Sequence, residues 1–382
     1  MTHLPPGTGD FLHFARTRVS ETEAEPPVAP HRRRNPLYGS AVLRYAEKCR
    51  RGSAPVATIP RERVLIPSVS IEGPSPHFGG TRVGDRSAPV TAHHPVISVV
   101  TPSFNQAAYL ETTIRSVLEQ GYPNLEYLVI DGGSTDGSVD IIKKYADRLT
   151  YWVSEPDSGQ SNAINKGFAR ATGELLAWLN SDDYYMPGAL HTFAEAAVAH
   201  PDADFFVGIG RAVDVNGRIL FDLPPPENLG LESTYRWLDR GDFLQPSAIF
   251  RRRIWERAGP IDEDIHFAMD VDLWLRMAKA GCRFHRIDAV LSTALVHAAA
   301  KTTAYTHLMR VDCSLVIAKH GGAAVAHRNL DRMAVQLARC EATLERLRGN
   351  RLVRALMPLY AWYRRRKPAP DVAVPRWLKD KL

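Results

Sequence analysis

The stretch VISVVTPSFNQAAYLETTIRSVLEQGYPNLEYLVID, residues 96–131, decides the fold of this chain. It begins with VISVVTP, a continuous apolar and β-branched run of the kind found in strands that are buried on both faces. Leu110, Ile114, Val117 and Leu118 then recur at helical spacing, and LEYLVID repeats the strand pattern. Strand, helix and strand in this order predict a right-handed βαβ unit with parallel strands.

The alternation of strand and helix patterns continues to about residue 210. The helical segments are DGSVDIIKKYAD (136–147), SGQSNAINKGFARAT (158–172) and GALHTFAEAAVAH (188–200), and the strand segments are LTYWVSE (149–155), ELLAWLN (174–180) and ADFFVGIG (203–210). This order predicts an α/β fold with a mainly parallel sheet flanked by helices. Ligands of such sheets bind outside the carboxyl ends of the strands, so the loops at those ends are the places to search for a site.

The pattern is less regular after about residue 211. AVDVNGRILFD (212–222) indicates a hairpin with Asn216-Gly217 as its turn. CRFHRID (282–288) and AVLSTALVH (289–297) are predicted as two returning strands. From about residue 302 the pattern turns helical and stays so to about residue 366.

Composition divides the chain into three parts. Residues 1–94 are rich in Pro, Arg, Ser and Gly, which predicts a flexible N-terminal extension. Residues 95–300 carry the strand and helix patterns and form the predicted globular domain. Residues 301–382 are predicted to form a helical, basic C-terminal extension.

The net charge of +6 is unevenly distributed. Residues 346–382 contain eleven Lys or Arg and two acidic residues, a net +9, so the remainder of the chain sums to −3. This argues against a nucleic-acid-binding protein, in which basic residues would cover a folded face. RLVRALMPLYAWYRRRKP (351–368) is either a solvated basic helix end or an attachment to anionic lipid headgroups.

The sequence shows neither a transmembrane segment nor a signal peptide. No window approaches 18 consecutive apolar residues, and MTHLPPGTGDFLHFARTRVS (1–20) lacks a basic region followed by an apolar run. The four cysteines are far apart and show no CxxC pattern, so a disulfide framework or a zinc site is not expected. We expect a cytoplasmic protein, with the basic tail as a means of peripheral attachment to the inner face of the membrane.

Polar loops follow the predicted strands. DGGSTDG (131–137) is either a turn with a helix N-cap or a nucleotide pocket in which Asp131 accepts hydrogen bonds from a base or ribose. The first strand is followed by no GxGxxG, which argues against a dinucleotide site, and the absence of GxxxxGK[ST] excludes a P-loop.

Two adjacent carboxylates follow the fourth strand in NSDD (180–183). Neighbouring carboxylates repel each other unless a cation or solvent compensates them. Mg²⁺ and Mn²⁺ prefer oxygen ligands and take several from water and phosphates. Asp182 and Asp183 therefore favour a metal site over a helix cap, although the cap stays open.

A third candidate is HFAMDVDLWLRM (266–277), in which Asp270 begins an amphipathic helix and shares a helix face with Trp274. An acid in a first helical turn is favoured by the helix dipole, which is a sufficient structural reason for Asp270. An acid beside an aromatic ring in a partly desolvated site is also suited to act as a general base towards a sugar hydroxyl.

Three segments in this order resemble family 2 glycosyltransferases, and among them the bacterial branch that builds cell-surface polysaccharides. They are SVVTPSFNQAAYLETTIRSVLEQGYPNLEYLVIDGGSTDG (98–137), YWVSEPDSGQSNAINKGFARATGELLAWLNSDDYYMPGAL (151–190) and MDVDLWLR (269–276). The resemblance covers residues 96–297. It implies a GT-A fold, with a Rossmann-like sheet that binds a nucleotide-diphosphate sugar at its strand ends.

The resemblance also implies roles for individual residues. The positions that it places around the nucleotide sugar are Thr101, Pro102, Phe104, Asp131, Asn165, Gly167, Asn180, Ser181 and Asp182. It makes Asp182 and Asp183 the ligands of a divalent metal, Mn²⁺ or Mg²⁺, and Asp270 the catalytic base.

The chain departs from the family pattern at three positions. Asn180 replaces the first acid of the DxD motif, so the two carboxylates that follow must supply the charge. Gly132 replaces a second acid often found after Asp131. Ile164 replaces the arginine of the ARNxG segment, so a cation for the phosphates must come from elsewhere, for example from Lys166.

The implied reaction is transfer of a single sugar from a nucleotide-diphosphate sugar to a hydroxyl of a glycan or lipid-linked acceptor, in exopolysaccharide- or lipopolysaccharide-type synthesis by a hexosyltransferase-type enzyme. One base without a protein nucleophile implies inversion, and the absence of QxxRW argues against polymerisation. A nucleotidyltransferase is an alternative, although TPSFNQ is not the Gly-rich basic loop such an enzyme would use. A non-catalytic GT-A-like scaffold is a second alternative, against which the three acids Asp182, Asp183 and Asp270 speak.

Overall fold

The computed structural model describes residues 94–350 and Leu356. The N-terminal extension predicted for residues 1–94, apart from His94, lies outside the described residues. The same holds for the basic segment 351–368, apart from Leu356. The three-part division of the chain and the role of the tail stay predictions.

The described residues form nine strands. They are β1 (Ile97–Ser103), β2 (Leu125–Asp131), β3 (Tyr151–Ser154), β4 (Leu175–Trp178), β5 (Tyr184–Tyr185), β6 (Phe205–Asp214), β7 (Ile219–Leu223), β8 (Ala248–Arg251) and β9 (Phe284–Val296). The strands predicted in residues 96–210 are therefore all present. The two strands predicted between residues 282 and 297 form one long strand, β9. Its register against β6 shifts on either side of Ile209.

Eleven α-helices lie in the same described part of the chain. They are α1 (Leu110–Leu118), α2 (Ser138–Lys144), α3 (Gln160–Arg170), α4 (Ala189–Ala199), α5 (Leu231–Tyr235), α6 (Trp237–Arg240), α7 (Arg252–Ala258), α8 (Met269–Lys279), α9 (Lys301–Ala304), α10 (Thr306–Lys319) and α11 (Ala323–Gly349). Short 3₁₀ turns occupy Ala146–Arg148 and Gln245–Ser247.

All nine strands belong to one sheet, in the order β3-β2-β1-β4-β8-β6-β9-β5, with β7 paired to β6. β1 to β4 pair in parallel, as their connecting helices require. Beyond β4 the sheet is mixed, because β8 runs antiparallel to both β4 and β6, and β6 and β7 form the predicted hairpin. Gly217 has φ +75° in that hairpin, a conformation that glycine adopts without strain.

The strand order creates a switch point between β1 and β4. The chain runs from β1 outward to β2 and β3, and then crosses back to place β4 on the other side of β1. The loops that leave the carboxyl ends of β1 and β4 therefore separate and open a crevice. The predicted DxD segment follows β4 at this crevice.

The core lies on both faces of the sheet. Ile97 and Val99 of β1 pack with residues of α1 and α4, while Val100 packs on the other face with Phe168 of α3 and Trp274 of α8. Burial on both faces explains why β1 reads as a continuous apolar run rather than as an alternating one.

The C-terminal helices differ in burial. α10 contributes Cys313, Val316 and Ile317 to the core cluster that contains α8, whereas α11 is buried only at Ala326 and Asn329. Within residues 94–350, none of the helices combines the length and the apolar character that a membrane span requires.

Candidate functional site

The loop after β1 is held by the loop after β2. Asn105 turns the chain at φ +52°, in the left-handed region, and its side-chain oxygen accepts a hydrogen bond from the Thr135 N–H at 2.9 Å. The Asn105 N–H donates to Ser134 Oγ at 2.7 Å. Phe104, beside this turn, is 59% exposed. Hydrogen bonds from the neighbouring loop thus hold the predicted nucleotide loop, which leaves one aromatic ring open to solvent.

Asp131 is fully buried and organises the loop that follows it. Its carboxylate accepts hydrogen bonds from the N–H groups of Gly133 and Ser134 at 3.1 and 2.8 Å, and from Ser154 Oγ at 2.7 Å. These bonds tie the turn after β2 to the end of β3. The contact of Asp131 with a base stays a prediction, and the structure adds a role in holding the loop.

The structure gives a reason for Gly132. A side chain at this position would begin 3.0 Å from both carboxylate oxygens of Asp157, which arrives from the loop after β3. Asp157 therefore occupies the space beside Asp131. Burial raises the pKa of Asp157, and the neighbouring charges of Asp131 and Glu155 add to the effect. Asp157 is not among the site residues predicted from the sequence.

The remaining residues predicted on β1 and α3 have structural partners. Thr101 and Pro102 are buried in β1, and Thr101 Oγ1 lies 3.0 Å from the hydroxyl of Tyr127. Gly167 faces Val100, where an added Cβ would lie 2.4 Å from a methyl carbon, so glycine allows α3 to approach the sheet. Nucleotide contact stays a prediction for these residues.

Asn165 and Lys166 are also engaged within the protein. Asn165 accepts from the Ile261 N–H at 2.9 Å and donates to the Ile261 carbonyl and to Glu263, which anchors the loop before α8. Lys166 forms an ion pair of 2.8 Å with Glu155. The lysine suggested for the phosphates therefore already has an anionic partner.

The residues after β4 form a connected polar group. Asn180 accepts from Gln160 Nε2 at 2.8 Å and donates to Asp183 Oδ2 at 3.1 Å. Asp183 is buried and also accepts from the Leu295 N–H, while Ser181 is buried beside it. Burial and the neighbouring Asp182 hold the pKa of Asp183 well above its usual range. The amide of Asn180 donates a hydrogen bond to the buried carboxyl of Asp183. An ionised aspartate at position 180 would have no proton to donate and would repel that carboxyl.

Asp182 points to a histidine that the sequence analysis missed. Its Oδ2 lies 3.0 Å from Nε2 of His297, in the loop after β9, and its side chain is 19% exposed. His297 is buried, its Nδ1 has no hydrogen-bond partner within the described residues, and its ring lies 4.6 Å from that of Tyr109. The separation of 115 positions along the chain left no local signal for this pair.

The chemistry of Asp182 and His297 is compatible with the predicted divalent metal. A carboxylate oxygen and an imidazole nitrogen are both ligands for Mn²⁺ and related ions. Residues 94–350 contain no group of three or more His, Cys, Asp and Glu that could hold an ion by themselves. Asp182 and His297 therefore suit an ion that takes its other ligands from water and substrate phosphates, a common arrangement for hard cations.

Asp270 lies in the first turn of α8, which begins at Met269. Burial raises the pKa of its carboxyl to about 6, and a hydrogen bond from the Val271 N–H at 2.8 Å and the charge of Lys301 partly offset the rise. A carboxylate with a pKa near 6 is a better base at neutral pH than an ordinary aspartate. Trp274 is 1% exposed and stacks on Trp178 with ring centroids 5.3 Å apart, so its ring belongs to the core.

Lys301 is a further residue, after Asp157 and His297, that only the structure brought forward. Its Nζ donates to Gln160 Oε1 at 3.2 Å and lies 5.3 Å from the ring centre of Phe267. The residue reaches solvent, yet the protein atoms around its amine lower the pKa of Lys301 to about 8, against the opposing attraction of Asp270 and Asp312. Gln160 thus connects Lys301 to Asn180 through two hydrogen bonds, and the charge of Asp270 acts on Lys301 from nearby.

Comparison with known proteins identifies the family of this chain. A family model described as Glycosyl transferase family 2 matches residues 98–257. TuaG of Bacillus subtilis, a glycosyltransferase assigned by name to teichuronic acid biosynthesis, is 31% identical over 207 residues, which are 53% of this chain and 80% of TuaG. The chain belongs to glycosyltransferase family 2. The mixed sheet with flanking helices and a helical C-terminal region is accordingly the GT-A fold, which confirms the predicted fold class.

Other relatives are more distant. An uncharacterized glycosyltransferase of Rickettsia typhi is 25% identical over 225 residues, which are 56% of this chain and 69% of the relative. Among solved structures, S. aureus TarS is 21% identical with a TM-score of 0.45, and the match covers 58% of this chain and 39% of TarS. A mannosyltransferase of Pyrobaculum calidifontis in complex with GDP-Man and Mn²⁺ is 18% identical with a TM-score of 0.44, and the match covers 85% of this chain and 92% of that structure.

Proposed function

We propose that this family 2 glycosyltransferase transfers a single sugar from a nucleotide-diphosphate sugar to a hydroxyl of a glycan or lipid-linked acceptor, with inversion and with a divalent metal. The observation that carries the proposal is the hydrogen-bonded link from Lys301 through Gln160 to Asn180, which has Asp270 near one end and the Asp182–His297 pair beside the other. A base, a cation and a pair of metal-binding groups therefore meet at one crevice of the sheet.

Asp270 removes the proton from the acceptor hydroxyl. As this hydroxyl oxygen bonds to the anomeric carbon, the bond from that carbon to the β-phosphate oxygen breaks, and its electron pair leaves with the nucleoside diphosphate. The pKa of about 6 keeps Asp270 ionised at neutral pH while making it a stronger base than a solvated aspartate. A single displacement with one base inverts the anomeric configuration.

Asp182 and His297 are the residues that would hold the metal. An ion bound there would neutralise charge on the leaving diphosphate. Asp183 is more deeply buried than Asp182, and it accepts hydrogen bonds from Asn180 and from the Leu295 N–H. We therefore propose that Asp183 fixes the conformation of the segment that carries Asp182.

The nucleoside is proposed to bind between the loops after β1, β2 and β3. Phe104 offers an exposed ring for stacking, and Asp131 and Asp157 place two carboxyl groups beside each other at this end. Hydrogen bonding to a base or ribose by Asp157 complements the predicted role of Asp131, whose oxygens already accept bonds from the loop.

The wider biological role is also a proposal. The name of the relative TuaG, which refers to a cell-wall polymer, supports synthesis of a surface polysaccharide. Such an enzyme would work in the cytoplasm, and the basic segment 351–368 suits attachment to an anionic inner membrane face.

A thermal-shift screen of UDP-, GDP-, dTDP- and CMP-sugars, with and without Mn²⁺, tests the donor site. We expect one nucleotide class to raise the melting temperature, more strongly with Mn²⁺, since a ligand that binds only the folded state stabilises it. The donor found in this way is then used to measure transfer by Asp270→Asn and by Asp264→Asn, which changes an exposed acid in the loop before α8. Loss of transfer in the first variant alone supports the proposal. The absence of any shift and any transfer with the whole panel would favour a non-catalytic scaffold.

A further inference from the structure

We propose that Lys301 binds the β-phosphate of the sugar donor and stabilises the charge that develops there as the diphosphate leaves. This inference rests on the glycosyltransferase function proposed above. It identifies the cation on the phosphate side of the site, for which the sequence offered Lys166.

The turn after β9 places Lys301 at the crevice together with His297. The Ala300 N–H donates to the His297 carbonyl at 3.1 Å, and Ala300 itself is buried. One tight turn therefore fixes two side chains, His297 against Asp182 and Lys301 against Gln160. A cation held within one turn of the metal-binding pair is positioned to act on the same phosphates.

The partners of Lys301 leave its charge available. Lys143, Lys144, Lys166 and Lys319 each lie within 4 Å of a carboxylate oxygen. Lys301 differs from these four, because no carboxylate within residues 94–350 lies at ion-pair distance from its Nζ. Its hydrogen bond goes to the neutral amide of Gln160, which uses one of three ammonium donors. The other donors are open to an anionic ligand.

The neighbours of Lys301 indicate which phosphate it reaches. Asp270 is close enough to Lys301 for each group to shift the charge equilibrium of the other. Because Asp270 must meet the acceptor oxygen at the anomeric carbon, Lys301 lies on the anomeric side of the diphosphate. The phosphate bonded to the anomeric carbon is the β-phosphate, whose oxygen keeps the electron pair when the bond between this oxygen and the anomeric carbon breaks.

Lys301 is also accessible to a ligand. The centre of the Phe267 ring lies 5.3 Å from its Nζ, and the residue as a whole is exposed, so a phosphate can reach the amine from solvent. Lys166, by comparison, is bonded to the exposed Glu155 and would have to give up that ion pair to bind a phosphate.

The test compares nucleoside diphosphates with monophosphates. Titration calorimetry with UDP, GDP and dTDP, and with UMP, GMP and dTMP, is carried out in Mn²⁺ on the wild type, Lys301→Gln, Lys301→Arg, Lys166→Gln and Lys143→Gln. We expect Lys301→Gln to weaken the bound diphosphate by about ten- to a hundredfold, the range for loss of a charged hydrogen bond. The matching monophosphate should change by less than about twofold, Lys301→Arg should retain most of the affinity, and the exposed Lys143 serves as the control for loss of one charge.

Each outcome bears on one proposal. Diphosphate binding by the wild type that survives in Lys301→Gln overturns the role of Lys301 and leaves the glycosyltransferase function intact. Equal weakening of monophosphate and diphosphate also overturns it, because such a result indicates a damaged pocket. Selective loss in Lys166→Gln instead assigns the cation to Lys166. A wild type that binds none of the diphosphates contradicts the proposed function itself.

Discussion

Asp270→Asn is expected to make the protein more stable at pH 8 while it abolishes transfer. The folded protein holds the pKa of Asp270 at about 6, against a reference value of 3.8. A raised pKa means that the folded state binds the proton more tightly than the unfolded state, so ionised Asp270 destabilises the fold. Protonated Asp270 carries no such penalty, so the free energy of unfolding falls as the pH rises from 3.8 through 6 and the group becomes ionised.

The magnitude follows from the two pKa values. At 1.36 kcal/mol per pKa unit, the penalty is about 3 kcal/mol at pH 8, where Asp270 is ionised in both states. At pH 4.5 Asp270 is protonated in most folded molecules, and the penalty is about 1 kcal/mol. The asparagine side chain of the variant would carry no charge at either pH and would still accept the hydrogen bond from the Val271 N–H. The attraction between Asp270 and Lys301 is already contained in the pKa of about 6, so the gain needs no further reduction for its loss.

Urea denaturation at pH 4.5 and pH 8 measures this difference, with Asp264→Asn as the control for loss of an exposed acid. We expect the unfolding free energy of Asp270→Asn, relative to wild type, to be about 2 kcal/mol more favourable at pH 8 than at pH 4.5. A stability difference that is the same at both pH values would refute the burial of this charge. In the wild type, kcat should rise with pH through about 6 as the base becomes ionised.

Three further predictions concern packing, loop order and the metal. Gly167→Ala should destabilise the fold by about 1–3 kcal/mol, because its Cβ would lie 2.4 Å from a Val100 methyl carbon; an unchanged urea midpoint would contradict the close approach of α3 to the sheet. Asp131→Asn should increase amide hydrogen exchange at Ser134, whose N–H donates to the carboxylate, while exchange in α4 stays as in the wild type; equal protection in both proteins would show that other contacts hold the loop. Asp182→Asn should remove the rise in melting temperature caused by Mn²⁺ together with the donor, and a full rise in this variant would place the metal elsewhere.

Much of the fold was predictable because its signals are local. The strand and helix patterns between residues 96 and 210 each extend over less than about 15 positions, and the parallel order of β1 to β4 follows from their alternation. Residues that follow strand ends were also predictable as lying at one edge of the sheet, since parallel strands align their carboxyl ends. Asp131 at the end of β2 and Asp182 after β4 are two such residues. The mixed half of the sheet was less predictable, because the position of β8 between β4 and β6 depends on pairings between distant segments.

The sequence by itself determined the α/β class, and it predicted the edge of the sheet for the site and the acids for a divalent metal and a base. Only the tertiary structure showed which other side chains lie beside those acids. His297 lies 115 positions from Asp182, and Lys301 lies 141 positions from Gln160, so no local pattern connects them. The pKa of Asp270 likewise depends on burial by segments far away in the chain. Hydrophobic periodicity indicates which face of a helix or strand packs against the core. A functional site is formed by side chains from several segments, which come together only when the chain has folded.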